Sequence, residues 1–282
     1  MSRTSGTEFI NLVFAGKRNK LFAQSMGYPI LRLRWRMLSP PCPSLLKSMH
    51  EQEPTPPVVS PLIIEIRRER LFALVARQLG NLFEYDAATD ETALNRALDE
   101  ALERSRYCFA RNLNKYFRRD GQAHFSPFHS GQYCIFLYYL GHSLALIGAS
   151  SLADRVYYLN RALNGVDLFH QVSLPEVFCV EHPLVAVIGR AQIGNYFFFA
   201  QVVTVGGNKV AYPMLGDHVT MLSNSKIVGK SVIGDNVILA ANSYVKDAII
   251  PANSIVFGQD RNLVIKENKS GLTAELFDST AA

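Results

Sequence analysis

The chain has few cysteines, and the residues after position 50 carry little net charge. Four cysteines occur in 282 residues, and none has the Cys-x-x-Cys spacing of a thiolate zinc site. They are also too few and too scattered for a disulfide scaffold. The formal net charge is +5, but residues 1–50 contain eight Lys/Arg and only Glu8 as an acid, so the rest of the chain is slightly acidic. We therefore expect no nucleic-acid partner and no metal site.

Long apolar runs are rare as well. The longest, Tyr133 to Ala149, is interrupted by Gly141, His142 and Ser143. A membrane span needs about 20 mostly apolar residues, so this run predicts a buried core helix and no membrane association.

Residues 1–57 have the composition of a leader followed by a linker. Residues 1–48 are Arg-rich and acid-poor, as organellar transit peptides are, and a Pro-rich stretch precedes residue 58. Met26, Met37 and Met49 are alternative starts, in which case the leader is dispensable. We expect a basic, disordered leader and a cytoplasmic protein, with organellar import through residues 1–48 as the alternative.

Residues 58–165 carry apolar residues at helical spacing, as in Leu94, Leu98 and Leu102, which predicts a helical domain. Ser151-x-x-Asp154 resembles a capping box at the start of its last helix. Asn164-Gly165 supplies a stop signal at the end of that helix.

Residues 166–260 show an internal repeat of six residues. Residues six apart on a helix point 240° away from each other, so the pattern requires short strands separated by turns. Apolar residues fill the first column: Val187, Ile193, Phe199, Val205, Leu215, Met221, Ile227, Ile233, Leu239, Val245. Small or β-branched residues follow four positions after each of the last six: Val219, Ser225, Ser231, Val237, Ser243, Ile249. These columns predict a solenoid, followed by a C-terminal tail at 261–282.

The repeat is broken once, between Val205 and Leu215, which are ten residues apart. Four extra residues must therefore bulge out as a loop within Gly206 to Met214. Each coil of a solenoid stacks only on its neighbours, so departures from the repeat mark function or capping. This loop is a candidate site.

The pairs Ile188-Gly189, Ile193-Gly194, Leu215-Gly216 and Ile233-Gly234 resemble the hexapeptide arrays of left-handed parallel β-helix acyltransferases, and serine acetyltransferase is the most similar family. The resemblance spans about Asp120 to Gly258. Its motifs are Glu181-His182 with Gly189 seven residues after the histidine, Gln201-Val-Val-Thr-Val-Gly206-Gly207, and a helix from Gly131 that ends in Gly141-His142.

The resemblance implies an α+β fold, with an N-terminal α-helical domain before a C-terminal left-handed β-helix. It also implies an acetyl-CoA-dependent O-acetyltransferase of cysteine biosynthesis, with serine as the acceptor. His182 would be the general base, and Asp167, fifteen residues earlier, would hold its ring. Glu181, Tyr212 and Asp120 would bind the acceptor. Gly206, Gly207, Ala241, Ser223 and Lys226 would bind acetyl-CoA, with backbone N–H groups near the glycines stabilising the oxyanion. A homotrimer or a dimer of trimers is expected.

The chemistry fits these residues. An acceptor hydroxyl must lose its proton as it attacks a thioester, and a positioned histidine base accelerates such a step by about 10² to 10⁴. Cys179 is an alternative nucleophile, but a buried apolar role is expected for it.

Two departures concern the acceptor. Ala211-Tyr212 replaces the family's Arg-His, and Glu181 replaces an aspartate. A sugar hydroxyl as acceptor and an inactive scaffold therefore stay as alternatives.

Overall fold

The computed structural model describes residues 61–280. The predicted leader, its import role and its alternative starts lie outside these residues. No helix within residues 61–280 is both long and apolar enough to cross a membrane.

Four helices make up most of the first half of the described chain. Their bounds are α1 Arg68–Leu82, α2 Ala87–Ala110, α3 Ser130–Leu146 and α4 Ser150–Asn164. Helix α3 packs against both α2 and α4, and it is buried on nearly every side. A helix that is apolar all round can be stable only inside a core, which confirms the core helix predicted from the long apolar run.

The helical domain also contains a small sheet that the sequence pattern did not predict. Strands β1 Ile63–Ile64, β2 Arg118–Arg119 and β3 Gln122–Phe125 pair in the order β1-β3-β2. Asp120 and Gly121 join β2 to β3 with φ of 52° and 76°. Positive φ at both positions gives the turn twist that two-residue hairpins need, and Asp-Gly is a typical sequence for it.

The two ends of α4 differ in how well they were predicted. The helix begins after Ala149, with no side-chain cap, so the capping box expected at Ser151 is wrong. Its end is confirmed: Gly165 has φ of 60° and its N–H donates to Arg161 O. Glycine reaches this left-handed conformation without the steric cost of a Cβ.

A largely buried ion pair joins α2 to α4. Arg155 Nη1 and Nη2 donate to the two carboxylate oxygens of Asp90 at 2.8 and 2.9 Å. The Asp90 side chain is only 10% exposed. The hydrogen bonds from Arg155 lower the pKa of this carboxyl below its ordinary value, against the opposing effect of burial.

The pair predicts a specific acid sensitivity. A carboxyl whose pKa is depressed in the folded state stabilises the fold above its unfolded pKa of about 4, and the contribution decreases as pH falls below that value. We expect Asp90→Asn to lower the free energy of unfolding by about 1–3 kcal/mol at pH 7. The deficit should shrink between about pH 4 and pH 2. Urea unfolding of both proteins across this range measures it, and a deficit independent of pH would contradict the assignment.

The second half is a three-sided parallel β-helix in which each coil contributes one strand to each of three sheets. Sheet I contains β4 Asp167–Leu168, β6 Val187–Ile188, β9 Thr204–Gly206, β12 Lys226–Val228 and β15 Tyr244–Lys246. Sheet II contains β7 Gln192–Ile193, β10 Met214–Leu215, β13 Val232–Ile233 and β16 Ile249–Ile250. Sheet III contains β5 Phe178–Val180, β8 Phe197–Phe199, β11 Thr220–Met221, β14 Ile238–Leu239, β17 Ser254–Phe257 and β18 Val264–Glu267. The chain passes from sheet III to sheet I to sheet II in each coil.

The strand register confirms the predicted insertion. Lys226 lies opposite Tyr244, 18 residues later, as three hexapeptides require. It lies opposite Thr204, 22 residues earlier, on its other side. The four extra residues fall between β9 and β10. We call residues 207–213 the insertion loop.

Two residues assigned to the interior are outside it. Val187 is 38% exposed and Ile249 is 78% exposed, while Ile188 and Ile250 point inward. Ile188 pairs with Val205 and Ile233 pairs with Ile250, each 17 residues apart. A coil one residue short shifts the inward position by one, and in each case an adjacent apolar residue masks the shift.

The predicted tail contributes to the fold as far as it is described. Strand β18 runs antiparallel to β17 and covers the last coil. Helix α5, Leu272–Leu276, follows it. Phe277 then pairs with Asn112 and packs its ring 5.6 Å from Tyr196.

Candidate functional site

His182 lies on an enlarged corner of the solenoid. Six residues, 181–186, connect β5 to β6, whereas four residues make the same corner in each of the next three coils. His182 has φ of 48° and an exposed side chain. The left-handed conformation is uncommon for a residue with a Cβ, but the corners of this solenoid adopt it repeatedly, as at Val202 and Asn224. We call residues 181–186 the His182 corner; the hexapeptide pattern did not reveal its extra length.

Asp167 lies beside this corner but does not bond to His182. Its N–H donates to Ala186 O at 2.8 Å, at the end of the His182 corner. Its carboxylate accepts the Tyr157 hydroxyl at 2.7 Å, and Arg161 Nη1 is 3.9 Å away. Among the described residues, the side chain of His182 has no hydrogen-bond partner. The Asp167 carboxylate is therefore held by α4, while the backbone of the same residue binds the end of the His182 corner.

Glu181 is held by a loop of the helical domain. Asn114 Nδ2 donates to Glu181 Oε1 at 3.3 Å. The Glu181 N–H donates to Phe199 O in the next coil at 3.1 Å. The half-buried carboxylate therefore links the His182 corner to the helical domain.

A column of stacked backbone bonds descends from the His182 corner. Val202 N–H donates to Leu184 O at 2.9 Å; below it, Asn224 N–H donates to Gln201 O and Asn242 N–H to Ser223 O, both at 3.0 Å. We call this the corner column; it consists of Leu184, Gln201, Ser223, Ala241 and the donors that follow them. Coils stack about 4.8 Å apart, so Ala241 is about 14 Å below the coil of His182.

Two predicted cosubstrate-binding residues, Ser223 and Ala241, therefore lie on one line below Leu184, which is two residues after His182. Lys226 follows that corner at the start of β12. Its Nζ donates to Asn224 Oδ1 at 2.6 Å and to Asn224 O at 3.2 Å. A cation fixed at this corner is suited to a phosphate group.

The insertion loop is shaped around a glycine. Asn208 and Ala211 exchange two backbone hydrogen bonds. A Cβ on Gly207 would lie 2.5 Å from Tyr212 Cδ1 and 2.8 Å from Ala211 O, so the Tyr212 ring packs directly on bare backbone. A Cβ on Gly206 would meet nothing within 4 Å, so the backbone there faces open space.

The insertion loop and the His182 corner lie at opposite ends of the strands of sheet I. The corner leads into the strands of this sheet, and the loop leaves the end of β9. A three-residue strand is about 10 Å long, so Gly207 and Tyr212 are separated from His182 by at least the length of a strand. The structure does not bring these predicted site residues together within one chain.

Asp120 makes no hydrogen bond to the His182 corner within the described part of the chain. It occupies the exposed turn between β2 and β3, and its carboxylate makes no hydrogen bond among the described residues. Its place in the acceptor site stays a prediction.

His129, which caps helix α3 beside the corner, was not predicted from the sequence. Its Nδ1 accepts the N–H of Gln132 at 3.3 Å. Its ring lies 5.2 Å from Tyr116 and 5.9 Å from Phe117. Burial lowers the pKa of His129, and the nearby His124 and His182 act in the same direction. No motif marks it, because only the packing of α3 on β5 brings it here.

Cys179 is not suited to act as a nucleophile. It is 1% exposed, and burial raises the pKa of its thiol to about 12. A protonated, enclosed thiol packs as an apolar group, as expected. Within residues 61–280, no three His, Cys, Asp or Glu side chains form a group that could hold a metal ion.

Comparisons with known proteins find sequence relatives and structures of similar fold that are described as serine acetyltransferases. No family model matches the chain. A serine acetyltransferase of Staphylococcus epidermidis is 26% identical over 146 residues, 50% of this chain and 68% of that protein. A Neisseria gonorrhoeae serine acetyltransferase structure has a TM-score of 0.58 at 22% identity and covers 74% of this chain and 83% of that chain. A serine acetyltransferase solved in complex with CoA has a TM-score of 0.56 at 19% identity, covering 71% and 84%.

In this chain a helical region precedes the three-sheeted solenoid, and its likeness to these solved structures establishes the fold as a left-handed parallel β-helix. The sequence similarity covers half of the chain and extends to curated relatives with one common description. This chain is therefore similar to serine acetyltransferases in sequence and has their fold.

Proposed function

We propose that the protein is an acetyl-CoA-dependent serine O-acetyltransferase with His182 as its general base. One observation carries the proposal: the enlarged corner from which the corner column descends exposes a histidine whose ring has no hydrogen-bond partner within residues 61–280. Curated relatives are described as serine acetyltransferases, and one solved structure of similar fold contains CoA. The resemblance also supports a cytoplasmic role in cysteine biosynthesis.

The proposed step is direct transfer. The acceptor hydroxyl oxygen attacks the thioester carbonyl while His182 takes its proton. The bond between the carbonyl carbon and sulfur then breaks, and the thiolate receives the proton from the imidazolium. Asp167, beside the corner, stabilises the positive ring, and Tyr157 and Arg161 keep that carboxylate in place. Ser223, Ala241 and Lys226 receive the arm and a phosphate of acetyl-CoA along the corner column.

The predicted oxyanion donors and Tyr212 reach His182 only from a second copy of the chain. They lie at the other end of the strands of sheet I from His182, and the open backbone at Gly206 would be available to a neighbouring subunit. We therefore propose a homotrimer or a dimer of trimers in which each insertion loop contributes to the site of an adjacent subunit. Sedimentation equilibrium should give a mass of three or six chains. A monomer with full activity would contradict this arrangement.

Acceptor profiling tests the proposed function. The purified protein is mixed with acetyl-CoA and a panel of serine and sugars, and the released thiol is measured with a thiol reagent. Thiol release that depends on serine supports the proposal. Release with a sugar alone favours the second candidate, a sugar O-acetyltransferase, which the exposed Tyr212 ring beside the insertion loop would suit. Release with none of them supports an inactive scaffold.

A further inference from the structure

A second imidazole, from the helical domain, lies near the His182 corner. His129 approaches the His182 corner through helix α3. A Cβ on Gly131 would lie 3.2 Å from Val180 O and 3.4 Å from His129 Cε1. The His129 ring and Val180, two residues before His182, therefore lie on either side of one position next to Gly131. A Cβ at 131 would be tight against both.

A second chain of contacts leads to the same place. The Tyr116 and Phe117 rings pack on His129, and Asn114, which precedes their helical turn, donates to Glu181. Segment 114–117 therefore joins His129 to the residue directly before His182. The electrostatic effect of His182 on His129 agrees with this short separation.

The hydrogen bonds of His129 leave one nitrogen for a ligand. Because Nδ1 accepts a backbone N–H, the proton of the neutral ring is on Nε2. This Nε2–H has no partner among the described residues, and it is not one of their buried unpartnered atoms. It is therefore an uncharged donor that solvent reaches. His124 differs, because its unpartnered Nε2 is buried.

We propose that His129 binds the acceptor, with its Nε2–H donating to an acceptor carboxylate oxygen while Glu181 faces the acceptor ammonium. This rests on the proposed function and specifies its substrate class as an α-amino acid. Because a neutral imidazole adds no positive charge next to His182, it does not oppose the imidazolium that forms during transfer. The site then binds both the carboxylate and the ammonium group of the amino acid, through His129 and Glu181.

The test separates binding from capping by replacing His129 with asparagine or alanine. Asparagine is among the best N-cap residues, so His129→Asn keeps an acceptor for the Gln132 N–H but lacks the Nε2–H. His129→Ala lacks both. We expect His129→Asn to keep the parent's melting temperature and to raise KM for serine about tenfold, without a change in KM for acetyl-CoA. A serine KM within twofold of the parent would overturn the proposal, because capping alone would then explain the histidine.

NMR of ¹⁵N-labelled imidazoles keeps this test separate from the proposed function. Serine alone is titrated into the parent protein, and the His129 Nε2 signal is identified by its loss in His129→Asn. A shift of this signal that saturates supports the assignment even if the parent transfers no acetyl group, which would overturn only the proposed function. The absence of a shift at serine concentrations above KM, or up to 100 mM if the parent is inactive, overturns the assignment.

Discussion

Replacing His182 with asparagine is expected to lower kcat for acetyl transfer by about 10² to 10⁴. Asparagine preserves the backbone, because it tolerates the left-handed conformation of φ 48° that this position requires. It cannot remove a proton from the attacking hydroxyl, which is the contribution estimated for a positioned base. KM for acetyl-CoA should change little, since the corner column and not the imidazole is proposed to hold that substrate. Initial rates of thiol release over a range of both substrates measure the effect.

His218→Asn is the matched control. His218 also has positive φ, at 58°, but it lies at a corner between sheets II and III, where its ring stacks 4.5 Å from Tyr196. The equivalent positions of the next two coils are Asn236 and Asn253, so asparagine fits the backbone there. We expect kcat within about twofold of the parent. Equal activity in His182→Asn and the parent would remove the general base from the mechanism and support the scaffold alternative.

The solenoid was predictable because its interior is narrow. The inward positions, which recur every six residues, admit only apolar or small side chains. The coils could therefore be predicted from this period, and the insertion loop from the interruption of the period. The short coils were less visible, because Val187 stands next to Ile188 and Ile249 next to Ile250. Either residue of each pair satisfies the pattern, and only strand pairing shows which one is inside.

The site was harder to predict than the fold. His182 and Asp167 were predicted from their spacing within a family motif, and their roles stay predictions. The hydroxyl of Tyr157 on Asp167 and the approach of His129 depend on how α4 and α3 pack against the first coils, which no local pattern encodes. The separation of Tyr212 from His182 is also a property of the coil geometry. Motif residues within thirty positions of each other in the sequence can lie at opposite ends of the strands of one sheet.

The second large effect concerns the stability of the stack, and Gly234→Ala should reveal it. A Cβ at this position would lie 2.5 Å from Ala252 N and 2.8 Å from Ala252 Cα in the next coil. Both atoms belong to backbone, which the neighbouring strands hold: Gly234 N–H donates to Ile250 O at 2.9 Å. Neither coil can move away without stretching its ladder of hydrogen bonds. We expect a loss of about 2–4 kcal/mol in the free energy of unfolding, a large share of a typical total of 5–15 kcal/mol.

Gly80→Ala makes the same chemical change where nothing opposes it. Gly80 lies within α1, and a Cβ there would meet no atom within 4 Å. Alanine in a helix interior is favoured over glycine by about 0.5–1 kcal/mol, so this variant should be more stable than the parent. Denaturant unfolding of both variants at one protein concentration gives the comparison. Because the two substitutions add the same methyl group, opposite signs can arise only from their surroundings. A Gly234→Ala protein as stable as the parent would mean that the coils are not packed at the spacing described.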